Sequence, residues 1–174
     1  RMTRMKQMDA VQRHIRLSME LVMCMVCAMA FGLAAVAVNF APLFYGDDFA
    51  YSGTLMMPLA FTLLSIGFAN VIRTQWVLPQ GRDTIFVHSV LTGAVINLIA
   101  NFVLIPPFGA MGAAAATVLA EFSVPAVQFV YLRKELPYAQ YLKTTGVYCL
   151  FGLVMAGVVA LLGHVLPLYG WRKL

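Results

Sequence analysis

Five apolar stretches, each long enough to cross a lipid bilayer, follow one another through nearly the whole chain with only short polar breaks between them. A hydrocarbon core of about 30 Å is crossed by about 20 helical residues at 1.5 Å each. The stretches cover about residues 21–45, 51–78, 84–105, 109–132 and 144–169. Inside lipid every backbone N–H and C=O must bond within the protein, which leaves helices or a closed barrel. Continuous apolar runs of this length, without a period of two, select helices. Charged residues make up 11% of the chain, against about 25% in soluble domains. The fold class is therefore all-α: a polytopic transmembrane helix bundle of about five spans over residues 21–170, preceded by a polar segment at 1–20.

That segment, RMTRMKQMDAVQRHIRLSME, carries Met5, Met8, Val11, Ile15 and Met19 at spacings of three and four. The pattern predicts a helix with one apolar face lying at the cytoplasmic interface and leading into the first span. The breaks are Gly46-Asp47-Asp48, Pro79-Gln80-Gly81-Arg82-Asp83, Pro106-Pro107, and the charged loop Arg133–Lys143 with Pro137. Basic residues collect in alternate connections: Arg1, Arg4, Lys6, Arg13 and Arg16; then Arg73 and Arg82; then Arg133, Lys134 and Lys143. The connections at 46–50 and 106–109 hold no Lys or Arg. This alternation places the N-terminus in the cytoplasm of a multi-pass cell-membrane protein; only Arg172 and Lys173 depart from it. The chain begins with Arg1 and shows no signal peptide ahead of its first apolar stretch, so it is expected to be a piece of a longer protein.

Several function classes find no support. The net charge of +5 follows from the positive-inside bias and gives no reason to invoke nucleic acid. Cys24 and Cys27 have C-x-x-C spacing but sit in LVMCMVCAMA, where small buried hydrophobes are the plainer reading. His88 and His164 lack a second ligand three or four residues away, so no metal site is expected. No nucleophile–base arrangement and no phosphate-binding glycine loop is present, so neither an enzyme nor a cofactor is expected.

Polar residues inside spans are the candidates that remain. Glu121 lies near the middle of the fourth stretch, and Pro125 follows four residues later. Proline lacks the N–H that would bond the carbonyl of Glu121, so a bend is expected at the acid. Thr117, Glu121 and Gln128 share a face, and so do Gly93, Asn97 and Asn101 in the third stretch. Each set has two readings: interhelical bonding, or the lining of a polar cavity that meets substrate or an ion. Gly109, Gly112, Ala113, Ala116 and Ala120 form a small-residue stripe for close helix packing. Arg73 is near the cytoplasmic end of the second span, where it serves as an orientation charge or as a bidentate partner for a phosphate.

The run FANVIRTQWVLPQGRDTIFVHSVLTGAVINLIANFVLIPPFGAMGAAAATVLAEFSVPAVQFVYLRKE resembles the C-terminal part of polysaccharide-repeat-unit (O-antigen/exopolysaccharide, Wzx-type) flippases. These belong to the multidrug/oligosaccharidyl-lipid/polysaccharide exporter superfamily. The similar features are Gln75, Pro79, Gly81 and Arg82 in one turn, Gly93 with Asn97, and Pro106, Gly109, Ala110, Gly112 and Ala113 in the next. Glu121 and the Arg133-Lys134 stop also fit, and Arg1–Met5 looks like the motif preceding the ninth helix of that family. The resemblance covers Arg1 to about Gly163 and implies a polysaccharide-biosynthesis C-terminal-type region of a larger two-lobed transporter fold. It implies alternating access, with a polyprenyl-(pyro)phosphate-linked oligosaccharide carried from the inner to the outer leaflet. The partners would be the bilayer, that lipid-linked oligosaccharide and an N-terminal lobe, without which the piece is expected to be inactive. The drug-exporting and peptidoglycan-precursor branches of the superfamily are the alternatives, as is a small structural membrane subunit. The substrate- or ion-facing candidates are Glu121, Gln128, Thr117, Asn97, Asn101 and Arg73.

Overall fold

The structure is a computed structural model describing residues 2–165, with side chains described from 10 to 162. Met5, Met8, His164, Arg172, Lys173 and the end of the fifth apolar stretch fall outside those limits. Among the described residues there are helices and turns and no strand. Helix α1 is Met2–Tyr45, α2 Ala50–Ala60, α3 Thr62–Ile72, α4 Asp83–Leu132 and α5 Tyr138–Val165.

The polar N-terminal segment is not set apart from the first span. Helix α1 runs unbroken across residue 21, because one apolar stripe serves both halves. Ile15, Met19, Met23, Cys27 and Phe31 recur every four residues and are all buried. They pack on Phe68, Val71, Ile72 and Trp76 and on Leu132, Leu136, Tyr138 and Tyr141. Of the two nearby cysteines, Cys24 is exposed while Cys27 is buried with its Sγ 3.8 Å from that of Cys149 on α5.

The second apolar stretch is divided at Phe61, three residues after Pro58. The chain tightens there, with Phe61 N–H donating to the Pro58 carbonyl and Leu64 N–H to that of Phe61, both at 3.2 Å. Beyond α3 the helix widens into a π-turn over Arg73–Val77, then closes in a 3₁₀ turn to Gly81, whose φ of 65° suits glycine.

Helix α4 is 50 residues long, too long for one crossing, and it is a hairpin. Gly109 has φ 55° and ψ −131°, a region open to glycine and costly to any other residue. The arms, 83–108 and 110–132, run antiparallel. A Cβ built on Gly93 would meet Val124 Cγ2 at 3.1 Å and the Ala120 carbonyl oxygen at 3.3 Å. Near the other end of the arms, His88 Nδ1 and Tyr131 Oη are 3.2 Å apart. The sequence placed the stop at Pro106-Pro107; helical geometry continues through both prolines and breaks at Gly109. Buried Gly112, Ala116 and Ala120 form the close seam expected of the small-residue stripe. Among the described residues four helices are long and apolar enough to cross a membrane, and one of them, α4, is folded on itself into two arms.

Contacts bring the basic segments to one end of the bundle. Gln75 Nε2 donates to Ser18 Oγ at 3.2 Å. Arg82 Nη1 and Trp76 Nε1 both donate to Glu135 Oε2, at 2.6 and 3.2 Å. The hydrogen bond from Arg82 holds the Glu135 carboxyl below the usual carboxylate range, against a smaller opposing effect of desolvation.

Candidate functional site

An open-sided groove of about 700 Å³ runs between α3 and the two arms of α4. Five of the six candidate residues line it: Arg73 from the end of α3, Asn97 and Asn101 from the first arm, and Thr117 and Glu121 from the second. Asn70, one turn before Arg73, lines it as well. Gln128 does not; it is 1% exposed, and its Oε1 has no hydrogen-bond partner.

The hairpin explains how two separate sequence faces meet. Antiparallel arms joined at Gly109 put the face of Gly93, Asn97 and Asn101 against that of Thr117, Ala120 and Glu121. Gly93 is the contact point, because its missing side chain admits the backbone at Ala120. Asn101 Nδ2 donates to Asn97 Oδ1 at 2.9 Å, leaving Asn101 Oδ1 as an open acceptor and Asn97 Nδ2 as an open donor. The Thr117 hydroxyl donates to the Ala113 carbonyl at 3.0 Å, so toward the groove it acts as an acceptor. Among the described residues the Glu121 carboxylate makes no hydrogen bond or ion pair. This part of the groove is thus a cluster of hard oxygen acceptors beside one amide donor. It suits hydroxyl- and amide-bearing ligands or a hard cation. Among the described residues no group of three or more His, Cys, Asp or Glu side chains has metal-binding proximity.

Arg73 occupies the basic end of the same groove. Its Cζ lies over the Phe86 ring, 4.8 Å from the centroid, within cation–π range. Its Nε is buried without a partner. Arg73 opens the π-turn, and such turns recur at functional sites in helices.

Pro125 leaves its mark on the site. The only non-helical backbone angles inside α4 are at Gly109. The carbonyl of Glu121, left without its helical donor, is instead hydrogen-bonded by the hydroxyl of Ser65 from α3. Ser65 is 3% exposed. The sequence reading allowed that Glu121 merely clamps the bundle. A clamp does form here, through the backbone carbonyl, and the side chain remains at the groove. Ser65 and Phe86 were not singled out from sequence. The absent N–H of Pro125 was the one signal that asks for a donor near Glu121.

Comparison with protein-family models matches residues 1–172 to the family described as "Lipid II flippase MurJ". Comparison with curated proteins and with solved structures gives no significant match. The family match spans nearly the whole chain, and the chain belongs to that family. Of the branches weighed from sequence, the match agrees with a lipid-linked flippase. Within that class it points to the peptidoglycan-precursor branch, which had been the alternative, rather than to polysaccharide repeat units.

Proposed function

We propose that this chain forms the groove-bearing C-terminal part of a flippase for a polyprenyl-(pyro)phosphate-linked peptidoglycan precursor. It acts by alternating access in the cytoplasmic membrane, as a transporter rather than an enzyme, with its basic end in the cytoplasm. The observation that carries this reading is the polarity of the groove. One guanidinium stands at the basic end, and neutral amides, a hydroxyl and an acid lie further along.

The spacing of the two charges supports it. Ser65 is level with Glu121 and runs in the same direction along the bundle, and Arg73 follows Ser65 by eight residues. At 1.5 Å per residue that separates Arg73 from the level of Glu121 by about 12 Å. Even with both charges full, an effective dielectric of about 20 leaves only ~1.4 kcal/mol between them. They do not neutralise each other, so each is open to another partner. An anionic phosphate entering from the basic end meets Arg73 while the attached sugar or peptide reaches the amides and the acid. A polysaccharide-repeat-unit lipid offers the same phosphate–sugar chemistry, and the two cargoes differ in the groups beyond the first sugar.

The test is made in cells whose only copy of the full-length gene product carries the substitution. External exposure of the lipid-linked precursor is read with a membrane-impermeant label. Arg73→Ala is expected to lower exposure at least tenfold, with Arg73→Lys intermediate because the planar donor is lost. Normal exposure in Arg73→Ala cells would refute the phosphate role. Normal peptidoglycan-precursor exposure in cells depleted of the protein altogether would refute the cargo.

A further inference from the structure

Each proline inside a helix removes the donor for the carbonyl four residues earlier. In this chain Pro42, Pro58, Pro106, Pro107 and Pro125 strip the carbonyls of Val38, Thr54, Phe102, Val103 and Glu121. Among the described residues, only the Glu121 carbonyl of this set receives a side-chain donor from another helix, the hydroxyl of Ser65. That carbonyl belongs to the residue whose carboxylate faces the groove. Ser65 is buried in the apolar run TLLSIGF, where a hydroxyl without a partner would be costly.

We propose that Ser65 is a positioning residue for Glu121. Its hydroxyl takes the place of the missing Pro125 N–H and holds the turn of the second α4 arm that carries the carboxylate. The bond also fixes α3, which carries Asn70 and leads into Arg73, against the arm that carries Thr117 and Glu121. Two of the groove's walls, α3 and the second arm, are thereby set in register through one side chain. Removing the hydroxyl leaves the Glu121 carbonyl open on both counts, and that turn loosens. Restoring the N–H by Pro125→Ala gives the carbonyl its helical partner back and makes the Ser65 hydroxyl dispensable. A generic packing role for Ser65 predicts no such rescue, because Ser65 and Pro125 line one cavity and Pro125→Ala removes ring atoms there, which loosens rather than restores packing.

The inference rests on the reading of Glu121 as a groove residue, and two readouts keep the claims apart. In the full-length protein in membranes, Glu121 is labelled with the hydrophobic probe dicyclohexylcarbodiimide, with Glu121→Gln defining the site-specific signal. Ser65→Ala is expected to change the labelling rate about fivefold, the population equivalent of one ordinary hydrogen bond. Ser65→Thr, which keeps the hydroxyl, is expected to label like the parent. Ser65→Ala combined with Pro125→Ala is expected to label like Pro125→Ala alone. Unchanged labelling in Ser65→Ala, or a change equally large in the Pro125→Ala background, would overturn the inference. If Ser65→Ala fails to accumulate, accumulation of the double variant supports the proposal, and failure of both overturns it. Precursor exposure in Glu121→Gln cells is read separately. Normal exposure there removes Glu121 from the transport reading while leaving the Ser65 result interpretable.

Discussion

Replacing Gly112 by alanine tests the α4 hairpin, and with it the way the groove is assembled. A Cβ at this position would lie 2.0 Å from the Leu104 carbonyl oxygen, 2.5 Å from its carbon and 3.0 Å from Ile105 N. All three atoms are backbone, so no rotamer change relieves the clash. Reaching ordinary contact at about 3.4 Å means moving the arms apart by ~1.4 Å at the tip, and overpacking of this kind costs ~1–3 kcal/mol. Gly157, with nothing within 4 Å of its would-be Cβ, is the control. Alanine there adds helix propensity without a clash, a gain of up to about 1 kcal/mol.

The assay is equilibrium unfolding in mixed micelles, titrated with dodecyl sulfate and followed by circular dichroism. Gly112→Ala is expected to be destabilised by ~2 kcal/mol, and Gly157→Ala is expected to be neutral or slightly more stable. The effect on the groove is read with cysteines at positions 88 and 131, in a chain whose natural cysteines are replaced by alanine. These positions face each other across the arms near the basic end. Their crosslinking by a short bifunctional maleimide is expected to fall in Gly112→Ala, since the arms stay in contact from Gly112 through Gly93 to His88 and Tyr131 and a displacement at the tip is passed along them. Equal stability of Gly112→Ala and the parent, with unchanged crosslinking, would show that the arms are not packed as described.

Three further outcomes follow from the geometry. Glu135 is held below the usual carboxylate range by Arg82. Its bond therefore contributes stability above the unfolded value of about 4.3 and loses it as pH falls through the lower folded value. With both side chains about a third exposed, the acid-side loss is expected to stay under about 1 kcal/mol and to vanish in Glu135→Gln, as read from melting temperature against pH. Mild oxidation with copper phenanthroline is expected to join α1 to α5 through Cys27 and Cys149, whose sulfurs are 3.8 Å apart, and to leave exposed Cys24 out. Peptide mass spectrometry showing a crosslink through Cys24 instead would refute that facing. Asn97→Ala removes the acceptor of the Asn101 amide one turn along the same arm and is expected to cost only about 0.2–0.5 kcal/mol of stability, as for other i,i+4 side-chain pairs. A fall in precursor exposure beyond tenfold with so small a stability loss would assign the pair to the groove; proportionate losses would assign it to packing.

What could be read from the sequence follows from which forces are local. Lipid requires each span to satisfy its own backbone, so the helical class and the approximate limits of the apolar stretches are set by composition and run length. The faces could be read for the same reason: Asn97 with Asn101, and Thr117 with Glu121, share faces by helical period alone. Their convergence could not be read so directly, because it depends on the chain reversing at Gly109 rather than at Pro106-Pro107. Proline is compatible with the start of a new helical turn, whereas a ψ of −131° at positive φ is open only to glycine. The reversal is therefore assigned to the residue that tolerates it rather than to the one that most visibly breaks a pattern.

Gln128 shows the opposite error. Its spacing from Glu121 put it on the same face, yet it is buried and outside the groove. Seven residues along a straight helix turn it about 20° away from the starting direction. Its side chain is packed inside the bundle, with Oε1 left without a partner. At Pro125 the sequence shows the donor that is lost but not the donor that replaces it. Ser65 supplies that donor from another helix, and the segment stays helical. In a bilayer an open carbonyl has no water to turn to, and the donor found for the carbonyl that Pro125 strips ties the arm bearing the groove's acid to the helix that leads into Arg73.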